Sequence, residues 1–177
     1  KIPITESLIL NAQVFKEGKP LGSLFQQDFN FHKAVGQTIS INKNPHKAYA
    51  GSGAEGLVNG ISGSDKRFGD KEWLGFWGED IEVRIDFDEP TKINSITTRF
   101  YHAPGQWVYA PGEVSISMEL PDVGTVLDEF NVVDKTSSKV ITTVHEFPKG
   151  KPIIASQLKL IIPNYGIIPE GKQGAGQ

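Results

Sequence analysis

Residues 102–109 read His102-Ala103-Pro104-Gly105-Gln106-Trp107-Val108-Tyr109. One short stretch thus holds an indole, a phenol, an imidazole and an amide. That set suits a ligand with an apolar face and hydroxyl edges, such as a sugar ring. Aromatic faces cover the C–H surface, and planar polar groups fix the hydroxyls. Trp107, Tyr109, His102 and Gln106 are the candidates, with Arg67 and Phe68, and Asn164 and Tyr165, as further members. The alternative is that Trp107 and Tyr109 only cap a core, since Trp is highly buried on average.

A second set of candidates lies in a glycine-punctuated stretch. Gly56, Asn59, Ile61 and Ser64 offer backbone and side-chain oxygens at close spacing. Calcium takes about six to eight oxygens, often from the carbonyls of a sharply turned loop. The alternative is a turn held by hydrogen bonds alone.

Catalytic patterns are lacking. His32, His46, His102 and His145 show no H-x-x-x-H or H-E-x-x-H spacing, so a zinc hydrolase has no support. There is no G-x-x-x-x-G-K-[ST] phosphate loop and no G-x-S-x-G elbow. A glycosidase needs two carboxyls across a cleft, and the adjacent Asp128-Glu129 reads as a turn or edge-strand pair. Glu82, Arg84, Asp86 and Lys92 read as a solvated strand face. With no Cys there is no disulfide, thiolate metal site or Cys nucleophile.

The elements that must position these groups are strands. Ile, Val and Thr number 39 against 20 Ala, Leu and Met, an excess of β-branched residues that points to an all-β protein. Leu, Ile, Val and Phe make up 50 of the 177 residues, well above the roughly 20% below which disorder is expected. A strand over 6–15, a turn at 16–20 and an apolar stretch over 21–29 form a β-hairpin. Alternation resumes over 35–41. Residues 42–78 are glycine-rich and aperiodic, a long functional or tethered loop. Ile81, Val83, Ile85 and Phe87 then alternate with charged residues until Glu89-Pro90 breaks the pattern. Further strands are expected around 96–100, 114–118, 126–133, 139–147 and 158–162, the last ended by Pro163. The spacing predicts a β-sandwich or jelly roll. The tail Gly171 to Gln177 is too glycine-rich and polar to pack alone.

The net charge of −3 argues against a nucleic-acid-binding surface. No apolar run approaches the ~18 residues of a membrane helix. The opening at Lys1, with no Met and no signal-peptide pattern, suggests a processed fragment.

Several segments together resemble one family. Tyr49-Ala50-Gly51-Ser52-Gly53 leads into Gly56-Leu57-Val58-Asn59-Gly60-Ile61-Ser62-Gly63-Ser64. Trp73-Leu74-Gly75-Phe76, Gly78, and the strand Asp80 to Phe87 follow, and then Val114-Ser115-Ile116-Ser117. This pattern resembles the discoidin, or coagulation-factor type C, domain, of the carbohydrate-binding module family 32 kind. Gly105-Gln106-Trp107-Val108-Tyr109-Ala110-Pro111 and the opening His32-Lys33-Ala34-Val35-Gly36 are similar to the copy appended C-terminally to bacterial family-20 β-N-acetylhexosaminidases, the chitobiases.

The resemblance covers roughly residues 32–170 and implies a galactose-binding-like jelly roll of about eight strands. Residues 1–31 resemble the end of a preceding small β-sandwich, so the expected division is a hairpin over 1–31 and a discoidin-like domain over 32–177. It implies a structural calcium, held by the Gly56 carbonyl, the Asn59 side chain, Ile61, and both oxygens of Ser64. The family has Asp where this chain has Asn59, which removes one negative charge. Related copies continue past the equivalent of Gln177 into one more apolar strand ending in an acidic residue; its absence would leave a sheet edge unpaired. Trp73 and Phe76 fall where the family packs its core, and Trp77 is an added, exposed aromatic. Asp128-Glu129 lacks the "His-x-Gly-Gly" that precedes the catalytic pair of family-20 enzymes. The implied function is a non-catalytic module that tethers an exported bacterial glycoside hydrolase to a glycan with terminal galactose- or N-acetylhexosamine-type sugars. The alternative is a purely structural domain packed against neighbouring domains of the parent enzyme.

Overall fold

The computed structural model describes residues 2–133, 139–147 and 151–177. Lys1, on which the expectation of a processed fragment rests, lies outside them. The described residues form strands and short 3₁₀ turns, with no α-helix among them. Among the described residues no helix is long and apolar enough to cross a membrane.

The chain opens with the expected hairpin. Strands β1 (Leu8–Lys16) and β2 (Lys19–Phe29) pair antiparallel and turn at Glu17-Gly18. Both turn residues have positive φ, 52° and 76°, as a two-residue loop matched to strand twist requires. The register shifts between Ala12 and Val14. There the Gln13 side-chain amide donates to the carbonyls of Leu21 and Gly22 at 3.4 and 3.1 Å. Ile9, Val14, Phe15, Leu21, Leu24 and Phe25 are each more than half exposed.

Seven further strands are described, where about eight are expected. They are β3 (Thr38–Ile41), β4 (Ile81–Ile93), β5 (Ser95–Tyr101), β6 (Glu113–Leu120), β7 (Gly124–Asn131), β8 (Val140–Glu146) and β9 (Ile153–Ile162). Five make an antiparallel sheet in the order β3-β4-β9-β6-β7, and β5 pairs with β8 in a second. Between the sheets lies one core. Ile81, Val83, Ile85 and Phe87 of β4 meet Val114, Ile116 and Met118 of β6, Leu158 and Leu160 of β9, and Ile96 and Phe147 beside the second sheet. This is the all-β jelly-roll sandwich expected from the strand pattern. Val114, Ile116 and Met118 are fully buried.

The alternation in β4 holds: Glu82, Arg84 and Asp86 lie on the outer side, where Arg84 binds both oxygens of Asp86. Several element boundaries differ, β9 beginning at Ile153 and not near 158; two others have a local cause. Glu89-Pro90 does not end β4. Proline lacks the N–H that a ladder needs, so the pairing with β9 skips from Asp86 to Thr91 while the chain stays extended to Ile93. The alternating 35–41 stretch gives a strand only from Thr38, because residues 33–36 turn, with Gly36 at φ 79°.

Antiparallel pairing gathers the long connections at one end. Ile81 pairs with Ile162, Ser115 with Ile161, Ile41 with Val83, and Tyr101 with Val140. The segment before β4, the loop after β5 and the chain beyond β9 therefore leave from the same rim.

Candidate functional site

The loop after β5 is a closed unit. Ala103 and Val108 exchange backbone hydrogen bonds of 2.8 and 3.3 Å across a 3₁₀ turn at Pro104–Gln106. Trp107 ends that turn at φ 60° and ψ 25°. A left-handed conformation costs an L-residue about 1–2 kcal/mol. Here the Trp107 N–H bonded to the Pro104 carbonyl at 3.0 Å helps to hold it. The kinked residue carries an indole outside the core, and Trp107 is 49% exposed. The alternative, that Trp107 only caps a core, does not fit, since it belongs to neither core cluster.

Three other sequence candidates come together beside it. Tyr109 stacks on Tyr165 with ring centroids 4.2 Å apart and planes 27° apart. His102 meets Tyr109 edge to face at 5.8 Å. The His102 Nδ1 accepts the Ala110 N–H at 3.2 Å, so the neutral ring carries its proton on Nε2 and offers a donor there. Gln106 is exposed, and its amide has no partner among the described residues. The site thus offers a half-exposed indole, a partly exposed Tyr165 ring, an imidazole donor and a free amide.

Arg67 is not part of this cluster. It is exposed and makes no hydrogen bond or ion pair among the described residues. Its neighbour Phe68 packs on Tyr49 and Tyr101. Together with Trp73, edge-on to Tyr101 at 5.5 Å, it forms a second small core outside β5. Phe76 packs on the main core and Trp77 is 68% exposed, both as expected.

The 56–64 loop is tied down from within. The Asn59 Oδ1 accepts the Ile61 N–H at 2.8 Å. The Ser64 carbonyl accepts the Trp73 indole N–H at 3.0 Å, and its hydroxyl accepts the Lys66 N–H at 3.1 Å. Arg99, on β5, donates to the Gly63 carbonyl at 3.0 Å, pairs with Asp65, and lies 5.4 Å from the Trp73 ring centroid. Calcium needs negative charge as well as oxygens, and the four expected positions are neutral. The missing charge is close by. Asp70 accepts the Ser64 N–H through Oδ2 at 2.7 Å, while its Oδ1 is buried without a partner. Asp70 thus adds a carboxylate bonded to the Ser64 N–H beside the four neutral positions. Among the described residues no three His, Asp or Glu side chains are grouped so that they could hold a metal ion.

Sequence reasoning missed Arg99, Asp70 and the tail. The signal for Arg99 was β5 itself, where Arg99 and Tyr101 share the face opposite Ile96 and Phe100 and that face is also covered. A polar hollow of about 230 Å³, lined by Lys47, Tyr49, Asp70 and Lys71 among others, lies off the aromatic loop.

No protein-family model matches the chain, and no curated protein matches it. Solved structures do. The lectin-binding domain of lectinolysin, solved as a mutant with Lewis b, superposes with a TM-score of 0.50 at 12% identity, over 77% of this chain and 88% of that one. The two share a fold. A family 32 carbohydrate-binding module from Streptococcus pneumoniae EndoD matches at a TM-score of 0.46 and 18% identity, over 79% of this chain and 91% of that one. A candidate alpha-L-fucosidase from Bacteroides thetaiotaomicron matches at 0.47 and 8% identity, over 74% of this chain. The match spans only 25% of that longer protein.

The acidic pair raised in the sequence lies elsewhere. Asp128 and Glu129 sit on β7, an edge strand, as expected. Asp128 bonds the His145 Nε2 of β8 at 2.8 Å, joining the two sheets.

Proposed function

We propose that this chain is a non-catalytic carbohydrate-binding module, and that Trp107, Tyr109, Tyr165, His102 and Gln106 form its sugar-binding surface. The observation that carries the reading is the half-exposed Trp107 indole, presented by a left-handed backbone beside a stacked tyrosine pair and an imidazole donor. Such a shallow surface supports an affinity of about 0.1–1 mM, since little net gain follows from displacing water at a polar site. The ligand class is a glycan with terminal galactose- or N-acetylhexosamine-type sugar. Weak binding becomes useful through tethering, which raises the effective concentration of glycan at a linked catalytic domain.

That linked domain belongs, in this proposal, to an exported bacterial glycoside hydrolase, a β-N-acetylhexosaminidase of the chitobiase kind, acting outside the cytoplasm. The resemblance in the sequence motifs supports the assignment, and Asp128 is tied to His145 between the sheets and does not face a second carboxyl across a cleft as a glycosidase pair would. A screen on immobilised galactosides, N-acetylgalactosaminides and chito-oligosaccharides tests the binding function. Retention of the wild type, with loss in Trp107→Ala, is expected. Retention unchanged in that variant contradicts the assigned surface.

The hairpin supports a second role. Its exposed Val14, Phe15, Leu21 and Phe25 suit packing against a neighbouring domain of the parent enzyme, so that residues 1–31 complete another sheet while 32–177 bind glycan. A structural calcium is also proposed, held by Gly56, Asn59, Ile61 and Ser64 with Asp70 supplying charge. When bound it would fix the loop that packs on Tyr101.

A further inference from the structure

The chain beyond β9 does not hang free. Ile168 is buried, and its N–H bonds to the Gln177 carbonyl at 3.1 Å while its own carbonyl accepts the Gly176 N–H at 3.0 Å. Between them the backbone makes successive tight turns, Lys172 to Pro169, Ala175 to Lys172 and Gln177 to Gly174. Residues 168–177 are therefore a small closed loop with an apolar anchor. The polar, glycine-rich residues 171–177 are held through Ile168, which lies outside them.

This loop is pressed on the proposed sugar-binding surface. A Cβ built on Gly174 would lie 2.9 Å from Cδ1 and Nε1 of Trp107 and 3.0 Å from Cδ2. Three nearly equal distances to atoms of the five-membered ring place that direction over the ring's face, not at its edge. The Tyr109 hydroxyl donates to the Gln173 carbonyl at 3.4 Å. The Gln173 side chain reaches the loop's other wall, with Oε1 3.5 Å from the Cβ direction of Gly105. Gly174 sits at φ 85°, where a side chain would be both strained and in collision with the indole. A glycine is needed here for close approach to an aromatic face.

The contacts repeat those of a bound sugar in peptide form. A C–H group lies on an indole face, and an oxygen accepts from a tyrosine hydroxyl. We infer that residues 168–177 occupy one face of Trp107 as an internal competitor, so that a sugar stacking on that face must displace the loop. The inference rests on the carbohydrate-binding reading above. It assigns the stacking subsite to the Gly174 side of the indole and names Ile168 as the anchor whose release opens it.

Two variants of the full chain test it, Gly174→Val, which forces the loop off the ring, and Ile168→Ser, which frees its anchor. Neither residue belongs to the cluster between the sheets; because Ile168 is buried, a melting curve confirms that Ile168→Ser is folded before its affinity is read. The readouts are the Trp107 indole ¹H-¹⁵N resonance without sugar and dissociation constants for galactose, N-acetylgalactosamine and chitotriose. The expected result is a shifted indole resonance in both variants and a three-fold or greater tightening for whichever sugar the wild type binds. An unshifted indole, or an affinity that stays the same or weakens, overturns the inference while leaving the sugar-binding reading in place. Absence of binding by wild type and both variants refutes that reading and the inference with it.

Discussion

The rings of Tyr109 and Tyr165 stack at 4.2 Å, joining the loop after β5 to the chain beyond β9. One residue comes from each side of the rim, so the stack fixes how the two segments meet. Aromatic pairs of this kind contribute about 0.5–1.5 kcal/mol beyond the area they bury. Tyr165 is 42% exposed, so Tyr165→Ala should cost at most about 1 kcal/mol of global stability by denaturant titration. It should weaken sugar binding several-fold, because Tyr109 loses its support. A variant as tight as wild type would remove Tyr165 from the surface.

Arg99 links β5 to the long segment before β4. Hydrogen bonds to charged groups contribute about 1.5–3 kcal/mol, and a guanidinium over an indole about 0.5–1 kcal/mol. Asp65 is 70% exposed, so its share is small, and the Gly63 carbonyl is the stronger partner. Arg99→Ala should lower stability by about 2 kcal/mol and shift the Trp73 indole resonance. Arg99→Lys, which keeps charge but loses the fork, should recover only part of this. A wild-type melting curve for Arg99→Ala would show that the segment is held by other contacts.

Calcium binding at the 56–64 loop should appear as a rise in melting temperature on adding millimolar calcium and a fall on adding chelator, since a ligand bound only by the native state stabilises it. Asp70→Asn should abolish the response by removing the charge of the carboxylate bonded to the Ser64 N–H. A melting temperature indifferent to both calcium and chelator would reject the ion.

Acid should weaken the outer face of β4 slightly. The Arg84 guanidinium bound to Asp86 holds its carboxyl below the usual carboxylate range, with the Gln157 amide assisting. A depressed carboxylate pKa contributes stability that is present above the unfolded value near 3.8 and is lost as pH falls through the lower folded value. Because the pair is exposed, the effect is small and salt-sensitive. Asp86→Asn should therefore flatten stability below about pH 4 at low salt. An unchanged acid slope would mean the pair contributes nothing.

Much of the sandwich was legible because its central strands bury one face in regular alternation. Ile81 to Phe87 and Val114 to Met118 alternate cleanly, and both are core strands. Pro90 misled, because a proline that stops the ladder also fits a bulge in a strand that continues. The aromatic loop was legible by composition, but the exposure of Trp107 was not, since it depends on one left-handed residue. Arg67 looked as suitable as Tyr165 in sequence. Only the antiparallel pairing of β4 with β9, which brings the chain beyond Ile162 back to the rim, favours Tyr165. Asp70 and Gly174 carry no local signal, since their partners Ser64 and Trp107 are set by loop closure.

The most direct test is a ¹H-¹⁵N titration of the chain with N-acetylglucosamine, galactose, N-acetylgalactosamine and chito-oligosaccharides. The account predicts saturable shifts centred on the Trp107 indole, the backbone of 102–110 and Tyr165, with a dissociation constant of about 0.1–1 mM. No shift there at tens of millimolar sugar, roughly ten times the weakest affinity expected, would contradict a carbohydrate-binding role for this surface.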